Sequence, residues 1–480
     1  MSHPPGIIFI LFFFTAASSL DGCSSGDGSS EDAGGADVSV SGDESDAGGD
    51  SHSDSDTDTD TDTDTDSDTD SDSDSVPDID FHVSITMSQQ IPTVAIVEWS
   101  ADIDSIDSAY IDFGTDTGYG MKAPVDLDEP GYRTLLLGMK PSTKYHLRIT
   151  AMYGDTEYRS ADYTTETGQV PNGLVKVSTE TLDEDALAGG FIVACIFKTG
   201  AAVILDADGE YVWWYETNIN DVSRARMSWD GRDMLIQAVN VRGGKGRIIR
   251  VSMDGEEVDT IGLPEAHHDF AVLPEGTITY ISFDGARCDN IFELNPAGDN
   301  KLVYSVADSV TIPPNTCHTN SIHYWQDKDA YTISVLNNNL FIKIDRASGS
   351  VDWIFGGAEN EFAGDVSWEK QHGHHLLDDG LLFFSNGPPG GESKALEYSL
   401  DEESMEAQLV WSYSSGNSSN THGDVQRLEN GNILVTFSNQ GEIHEVDPDG
   451  NLVRKTYWGM GGAVSYTMHR PSLYGPPPKR

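Results

Sequence analysis

From about residue 200 onward one short pattern returns at intervals of roughly 50 residues: a tight turn, followed a few residues later by an aromatic or large apolar side chain. It is seen at Asp208-Gly209 with Trp213, Asp254-Gly255 with Ile261, Pro296-Ala297-Gly298 with Tyr304, Ser348-Gly349 with Trp353, Glu403-Ser404 with Trp411, and Asp449-Gly450 with Tyr457. A repeat of this length suits four short antiparallel strands, and no stretch after residue 190 carries a helical apolar stripe long enough to cover a parallel sheet. Strand-like runs stand just before the turns, as in Arg247-Ile248-Ile249-Arg250-Val251, Leu340-Phe341-Ile342-Lys343-Ile344-Asp345 and Glu442-Ile443-His444-Glu445-Val446. The expectation is an all-β chain whose residues 172–480 form a six-bladed β-propeller around a central channel.

Histidines follow the same register. After each turn and aromatic residue except the first come His267-His268, His318 with His323, His372 with His374-His375, His422 and His469, while the first repeat has Arg224 and Arg226 at the corresponding place. Equivalent positions in a repeat are carried to equivalent places in the fold, so residues remote in sequence are expected to converge. A single histidine is more often a satisfied structural group; a series in one register points to a shared site. Neutral imidazole serves as nucleophile, general base or metal ligand according to its surroundings. Asp269 and Asp424 could orient a neighbouring ring, and Phe270, Trp325 and Trp368 are candidates to flank a bound aromatic group.

Upstream, residues 77–169 show short alternating strands, including Val94-Ala95-Ile96-Val97-Glu98-Trp99 and Tyr145-His146-Leu147-Arg148-Ile149-Thr150-Ala151. Period-two spacing gives a sheet one buried and one wet face. With its early Trp and the turn Gly138-Met139-Lys140-Pro141-Ser142-Thr143, this stretch resembles a fibronectin type III module. Such a sandwich is ordinarily a spacer or recognition platform.

The chain ahead of it is of another kind. From Asp54 to Asp74 every second residue is Asp, eleven in all, with only Ser or Thr between. Nothing apolar is available there to offset the entropy of ordering, so residues 23–76 read as a disordered, self-repelling acidic linker. The run Ile7-Ile8-Phe9-Ile10-Leu11-Phe12-Phe13-Phe14 is too short to span a bilayer, and small residues bound it; residues 1–22 read as an export signal. The segment ending Leu20-Asp21-Gly22-Cys23 resembles a bacterial lipobox, which implies lipidation of Cys23 and a tether to the membrane through that lipid. The expected location is the outer membrane or cell surface of a Gram-negative bacterium, on the periplasmic or extracellular side.

A net charge of -52 argues against a nucleic acid partner, because such a surface repels phosphate. Three cysteines in the mature body are no disulfide scaffold; Cys288 and Cys317 could bridge in an oxidising compartment, and Cys195 reads as a small buried hydrophobe.

Taken as a set and in this order, Ala266-His267-His268-Asp269-Phe270, Cys317-His318-Thr319-Asn320-Ser321-Ile322, Phe355-Gly356-Gly357, Gln371-His372-Gly373-His374, Ser393-Lys394-Ala395-Leu396-Glu397-Tyr398 and His422-Gly423-Asp424-Val425-Gln426 resemble the arylsulfate sulfotransferase family, from near Gly200 to Trp458. The resemblance implies transfer of a sulfuryl group from a phenolic sulfate donor to a phenolic acceptor, without a nucleotide donor, cofactor or metal. Carried over by motif, His422 is the nucleophile that becomes sulfated; His268 and His372 hold the sulfuryl oxygens or exchange the phenol's proton. Lys394 stands where the family has Arg. Arg is a rigid two-pronged donor and Lys a point charge on a flexible stem, so charge compensation persists while orientation loosens. His318, Asn320, Arg224 and Arg226 are expected as secondary binding residues. Two other readings start from the same residues: a non-catalytic surface binding or adhesion lipoprotein, and a metal-dependent enzyme using the histidine ring with Asp269 or Asp424.

Overall fold

The structure, a computed structural model, describes residues 79–239, 246–283, 288–311, 316–459 and 464–477. The expected export signal, the lipidated Cys23 and almost all of the acidic linker lie outside the described residues. Among the described residues the regular elements are strands, with four single-turn 3-10 segments and no α-helix.

Two sheets form the first part. One pairs Phe81–Met87, Ala95–Ala101 and Thr134–Leu136; the other is built on Ser108–Gly114 and Lys144–Tyr153 with Met121–Pro124, Thr156–Arg159 and Tyr163–Glu166. Burial alternates along Ser108–Gly114, as the pleat requires when one face is covered. Val97, Trp99, Ile111, Phe113, Leu147 and Ile149 fill the space between the sheets. This part is anchored to the repeats: Ser88 Oγ donates to the Asp254 carbonyl at 2.6 Å, Thr93 Oγ1 donates to the Val212 carbonyl at 2.7 Å, and Arg133 pairs with Asp254. Ile91, Val94 and Leu137 join the apolar cluster that includes Trp213 and Met234.

The remaining strands make six separate antiparallel sheets, five of four strands and one of five. Each repeat supplies most of one sheet through its own short turns, as with Thr319–Trp325, Ala330–Val335, Leu340–Asp345 and Val351–Gly356. Two sheets tie distant parts of the chain together. Val464–Arg470 pairs with Phe191–Ile196, and Leu452–Trp458 pairs with Val177–Thr181.

The expectation of a closed six-bladed β-propeller is corrected here. Among the described residues every sheet is open, and none closes on itself or curls strongly; no hydrogen-bonded ladder runs from one of these sheets into the next. The architecture is all-β, made of packed open sheets. The physical reason is that a repeat period fixes how many short strands a unit holds and how they pair inside it, whereas the joining of successive units depends on side-chain packing that periodicity does not encode.

Six strands nonetheless bring their side chains together: Val222–Met227, Ala266–Val272, Thr319–Trp325, Gln371–Leu377, Asp424–Arg427 and Val464–Arg470. Arg224 reaches Asp424 at 2.6 Å and Asp269 at 3.4 Å, Ser321 Oγ meets His374 Nδ1 at 2.6 Å, and the Thr467 amide donates to Asp424 at 3.1 Å. These contacts position the site.

Candidate functional site: an imidazole cluster over a buried ion layer

Five of these six strands, those beginning at Val222, Ala266, Thr319, Gln371 and Val464, carry a register irregularity near their start. A bulge bends the strand and re-aims a side chain. His268, at φ +60°, sits in one such bulge, His318, at +58°, directly precedes another such strand, and His422, also at +58°, stands two residues ahead of Asp424–Arg427. A non-glycine residue in the left-handed region is uncommon and costs about 1–2 kcal/mol, so its recurrence at three histidines marks a conformation the surrounding structure enforces. At Gly423, φ +110°, a Cβ would lie 2.2 Å from the Phe384 ring, so only glycine allows the chain to turn from His422 into its strand.

The imidazoles converge. Ring centroids are 4.7 Å apart for His268 and His318, 6.5 Å for His268 and His372, and 5.5 Å for His372 and His422. His372 is buried, and His268, His318 and His422 are half-buried.

Hydrogen-bond partners assign the protons along this cluster. His267 Nε2 lies 3.2 Å from Asp289 Oδ1, and the Thr319 amide donates to Asp289 Oδ2 at 2.6 Å. Burial alone would raise the Asp289 carboxyl, yet its bonds to His267 and Thr319 hold it below the ordinary carboxylate range. It is therefore an acceptor, and His267 Nε2 carries the proton. His267 Nδ1 then accepts from His268 Nδ1 at 2.6 Å, and His268 Nε2 accepts from His318 Nε2 at 3.0 Å. The chain Asp289, His267, His268, His318 is a directional line of donors that ends on the Nδ1 lone pair of His318. His372 Nδ1 lies 3.0 Å from the Gly423 carbonyl, which makes it the donor and leaves Nε2 with its lone pair. His422 Nδ1 is buried with no hydrogen-bond partner among the described residues.

Burial first, and then the neighbouring imidazoles, push His268 and His372 well below the usual histidine value; Arg224 contributes at His372. His318 is lowered by burial and by His267, and His422 is lowered to about 4 by burial and by His318. At neutral pH these four rings are uncharged, and a lone pair is available for attack or proton transfer.

The other expected residues are placed differently. Arg224 and Arg226 do not join the cluster: Arg224 is held between Asp424 and Asp269, and Arg226 pairs with Asp269 at 3.3 Å. Asp269 and Asp424 are buried in this ion layer and orient guanidinium groups, not imidazoles. Asn320 is buried, donating to the Gln371 carbonyl at 2.9 Å. Lys394 is exposed at the start of Lys394–Asp401, and its ammonium has no hydrogen bond or ion pair among the described residues. His469 donates to the Gly189 carbonyl at 2.8 Å, and His374 is held by Ser321 and by Thr332 at 2.9 Å. Phe270 is buried near Arg226, and Trp368 packs with Phe341, Phe355 and Phe383. The rings beside the imidazoles are others: Phe197 at 5.5 Å from His422, Tyr466 at 5.0 Å from His372, and Phe283 stacked at 3.9 Å on His267.

Cys288 and Cys317 form a disulfide. It joins the residue before Asp289 to the residue before His318, so one covalent link ties both ends of the imidazole line. Cys195 is a buried thiol whose pKa burial pushes up to about 12, which makes it inert. Among the described residues no three His, Cys, Asp or Glu side chains stand as a metal-ligand set.

Residues 281–458 match the family model described as arylsulfotransferase (ASST). The match links the chain, at family level, to these enzymes. It takes in His318, His372, Lys394 and His422, and it begins after His268. No curated protein matches the chain. Among solved structures it is similar to the periplasmic gluconolactonase of Pseudomonas aeruginosa, at 14% identity over 67% of this chain and 94% of that one, with a TM-score of 0.40. Others are TolB from Acinetobacter baumannii, 11% identical over 69% and 80% of the two chains with a TM-score of 0.42, and a streptogramin B lyase, 14% identical over 62% and 98% with a TM-score of 0.40. Likeness at this level assigns neither fold nor activity.

Proposed function

We propose that the chain transfers a sulfuryl group from an aryl sulfate to a phenol through a sulfated His422. The observation that carries this reading is the convergence of four uncharged imidazoles, one of them with an unpartnered buried nitrogen, inside a chain whose arylsulfotransferase match spans three of the four.

In the first step a ring nitrogen of His422 forms a bond to sulfur while the bond from sulfur to the aryl oxygen breaks, its electron pair leaving with the phenolate. A phenolate holds that charge better than an alkoxide, so aryl esters are the fitting donors. In the second step the acceptor's oxygen attacks sulfur, the bond to nitrogen breaks, and the acceptor's proton passes to His318 Nδ1. His268 and His267 then share the resulting positive charge toward Asp289 along hydrogen bonds of 3.0, 2.6 and 3.2 Å. Both nitrogens of His268 are engaged in this line, which suits it to proton exchange. In this reading the exposed ammonium of Lys394 balances sulfuryl charge. Export and lipid anchoring through Cys23, with the acidic segment as a spacer, belong to the same proposal.

The deciding experiment mixes the protein with an aryl sulfate alone and measures intact mass. A gain of one sulfuryl group in the parent and none in His422→Ala supports the reading; an unmodified parent that also fails to release phenol when a second phenol is added overturns it.

A further inference from the structure

A cavity of about 110 Å³ lies among the same six strands but is lined by none of the four clustered imidazoles. Arg224, Asp269 and Asp424 form part of its wall, and Arg226, Arg470, Trp229 and Trp325 line it further. Tyr466 lies between the two regions, in contact with His372 and Arg224 alike.

Its charge is unbalanced. Arg224 is matched by Asp424 and shares Asp269 with Arg226. Arg470 is buried, and its hydrogen bonds run to the carbonyls of Ser472 at 3.1 Å and Gly475 at 2.5 Å; it has no ion pair among the described residues. Three guanidinium ions thus face two buried carboxylates, since the remaining acidic lining residue, Asp327, is exposed. Arg226 Nε is buried with no hydrogen-bond partner among the described residues, a donor that costs free energy until an acceptor meets it. Burial, joined at Arg226 by the charge of Arg224, lowers both Arg226 and Arg470 to about 10, so both remain cations at neutral pH, Arg226 with only a share of Asp269 and Arg470 with no paired carboxylate among the described residues. In a chain of net charge -52 this is a local excess of positive charge inside a cavity.

We infer that this cavity is a binding site for a small oxyanion, a carboxylate or sulfate bearing at most one aromatic ring. Arg226 grips the anion with its guanidinium edge, and Arg470 supplies the field of an unmatched cation. Trp229 and Trp325 give flat apolar walls for a ring, and Met227 and Met468 fill the gaps beside it. A cavity near 110 Å³ is of the same order as one known to hold benzene, about 150 Å³, which suits one ring and not two. The inference is independent of sulfuryl transfer, because no residue of the imidazole cluster touches the cavity.

Calorimetric titration of the full chain with benzoate, acetate and sulfate at fixed ionic strength tests it. The expected result is saturable binding of benzoate with one site per chain, weakened about tenfold or more by Arg226→Gln and unchanged in His422→Ala. Trp229→Ala, at the cavity's half-buried edge, weakens benzoate several-fold and leaves acetate and sulfate as they were. This second variant keeps the test decisive where Arg226→Gln does not fold. Absence of saturable binding by all three anions overturns the inference; so does benzoate binding that is lost in His422→Ala and kept in Arg226→Gln, or that is indifferent to Trp229→Ala.

Discussion

Tyr466 stacks on His372 with ring centroids 5.0 Å apart and an interplanar angle of 28°. The same tyrosine has the Arg224 guanidinium 4.8 Å from its ring centroid and donates its hydroxyl to the Asn320 carbonyl. One fully buried side chain therefore connects an uncharged imidazole cluster to a charged layer. Tyr466→Phe keeps the stack and loses one hydrogen bond, which lowers stability by about 1 kcal/mol. Tyr466→Ala leaves a cavity beneath His372 and costs about 3–5 kcal/mol. Urea unfolding of the two variants checks this; equal losses would show that the ring does not support the cluster.

Burial of neutral histidines ties stability to pH. The folded values of His268, His318, His372 and His422 lie below the unfolded one, 6.5, and that of His422 lies near 4. Between these limits the unfolded chain binds protons that the folded chain refuses, so stability is complete above about pH 6.5 and falls as pH drops toward 4. Each such histidine removes about 1.4 kcal/mol per pH unit. Two acting together are comparable, over two units, with the whole stability of an ordinary domain, about 5–15 kcal/mol. Thermal unfolding from pH 7.5 to 4 is expected to show a falling midpoint that begins near 6.5, with a shallower slope in His422→Gln. A flat profile down to pH 5 would mean that the rings are solvated enough to titrate normally.

Much of this was legible in the residues, for definite reasons. Arg247–Ser252, Leu340–Asp345 and Glu442–Val446 are strands where alternation and turns predicted them, because local pairing inside a repeat uses local signals. His268, His318, His372 and His422 meet because equivalent repeat positions lead to equivalent places. The propeller expectation failed at the joining of sheets, which rests on contacts such as Arg224 with Asp424, 200 residues apart. Those long-range pairs leave no local trace, so the ion layer was read as part of the site. Asp289 and Tyr466 were missed for the same cause: each lies in a strand whose composition is unremarked. Asp289 had one available signal, since it directly follows Cys288 and the suspected bridge partner, Cys317, directly precedes His318.

That bridge gives a prediction of its own. Closing a 29-residue separation by a disulfide stabilises the fold by about 3–4 kcal/mol in the chain-entropy view. Cys317→Ser is expected to lose about that much in denaturant unfolding, and also to loosen His318 against His268. Asp289→Asn leaves the bridge in place but removes the charge at the end of the imidazole line. If the line moves protons, Asp289→Asn slows turnover of acceptors with high phenol pKa more than of acidic phenols, while a merely structural aspartate slows all equally. Steady-state rates over a phenol series distinguish the two.

Lys394 supplies the last test. It is the exposed cation on a strand whose neighbour, Ser393, is bonded to the Ser419 amide at 2.7 Å in the loop that leads to His422. A lysine compensates sulfuryl charge without fixing its orientation, whereas arginine offers two parallel donors to the same oxygens. Since a misplacement near 1 Å can cost on the order of 10²-fold in rate, a better-oriented group has room to raise turnover. Lys394→Arg is expected to raise kcat several-fold with aryl sulfate donors, and Lys394→Met to lower it by more than tenfold while stability stays within about 0.5 kcal/mol, as for other exposed positions. Equal rates for the parent and both variants would remove Lys394 from the reaction and leave the sulfuryl charge to groups other than this lysine.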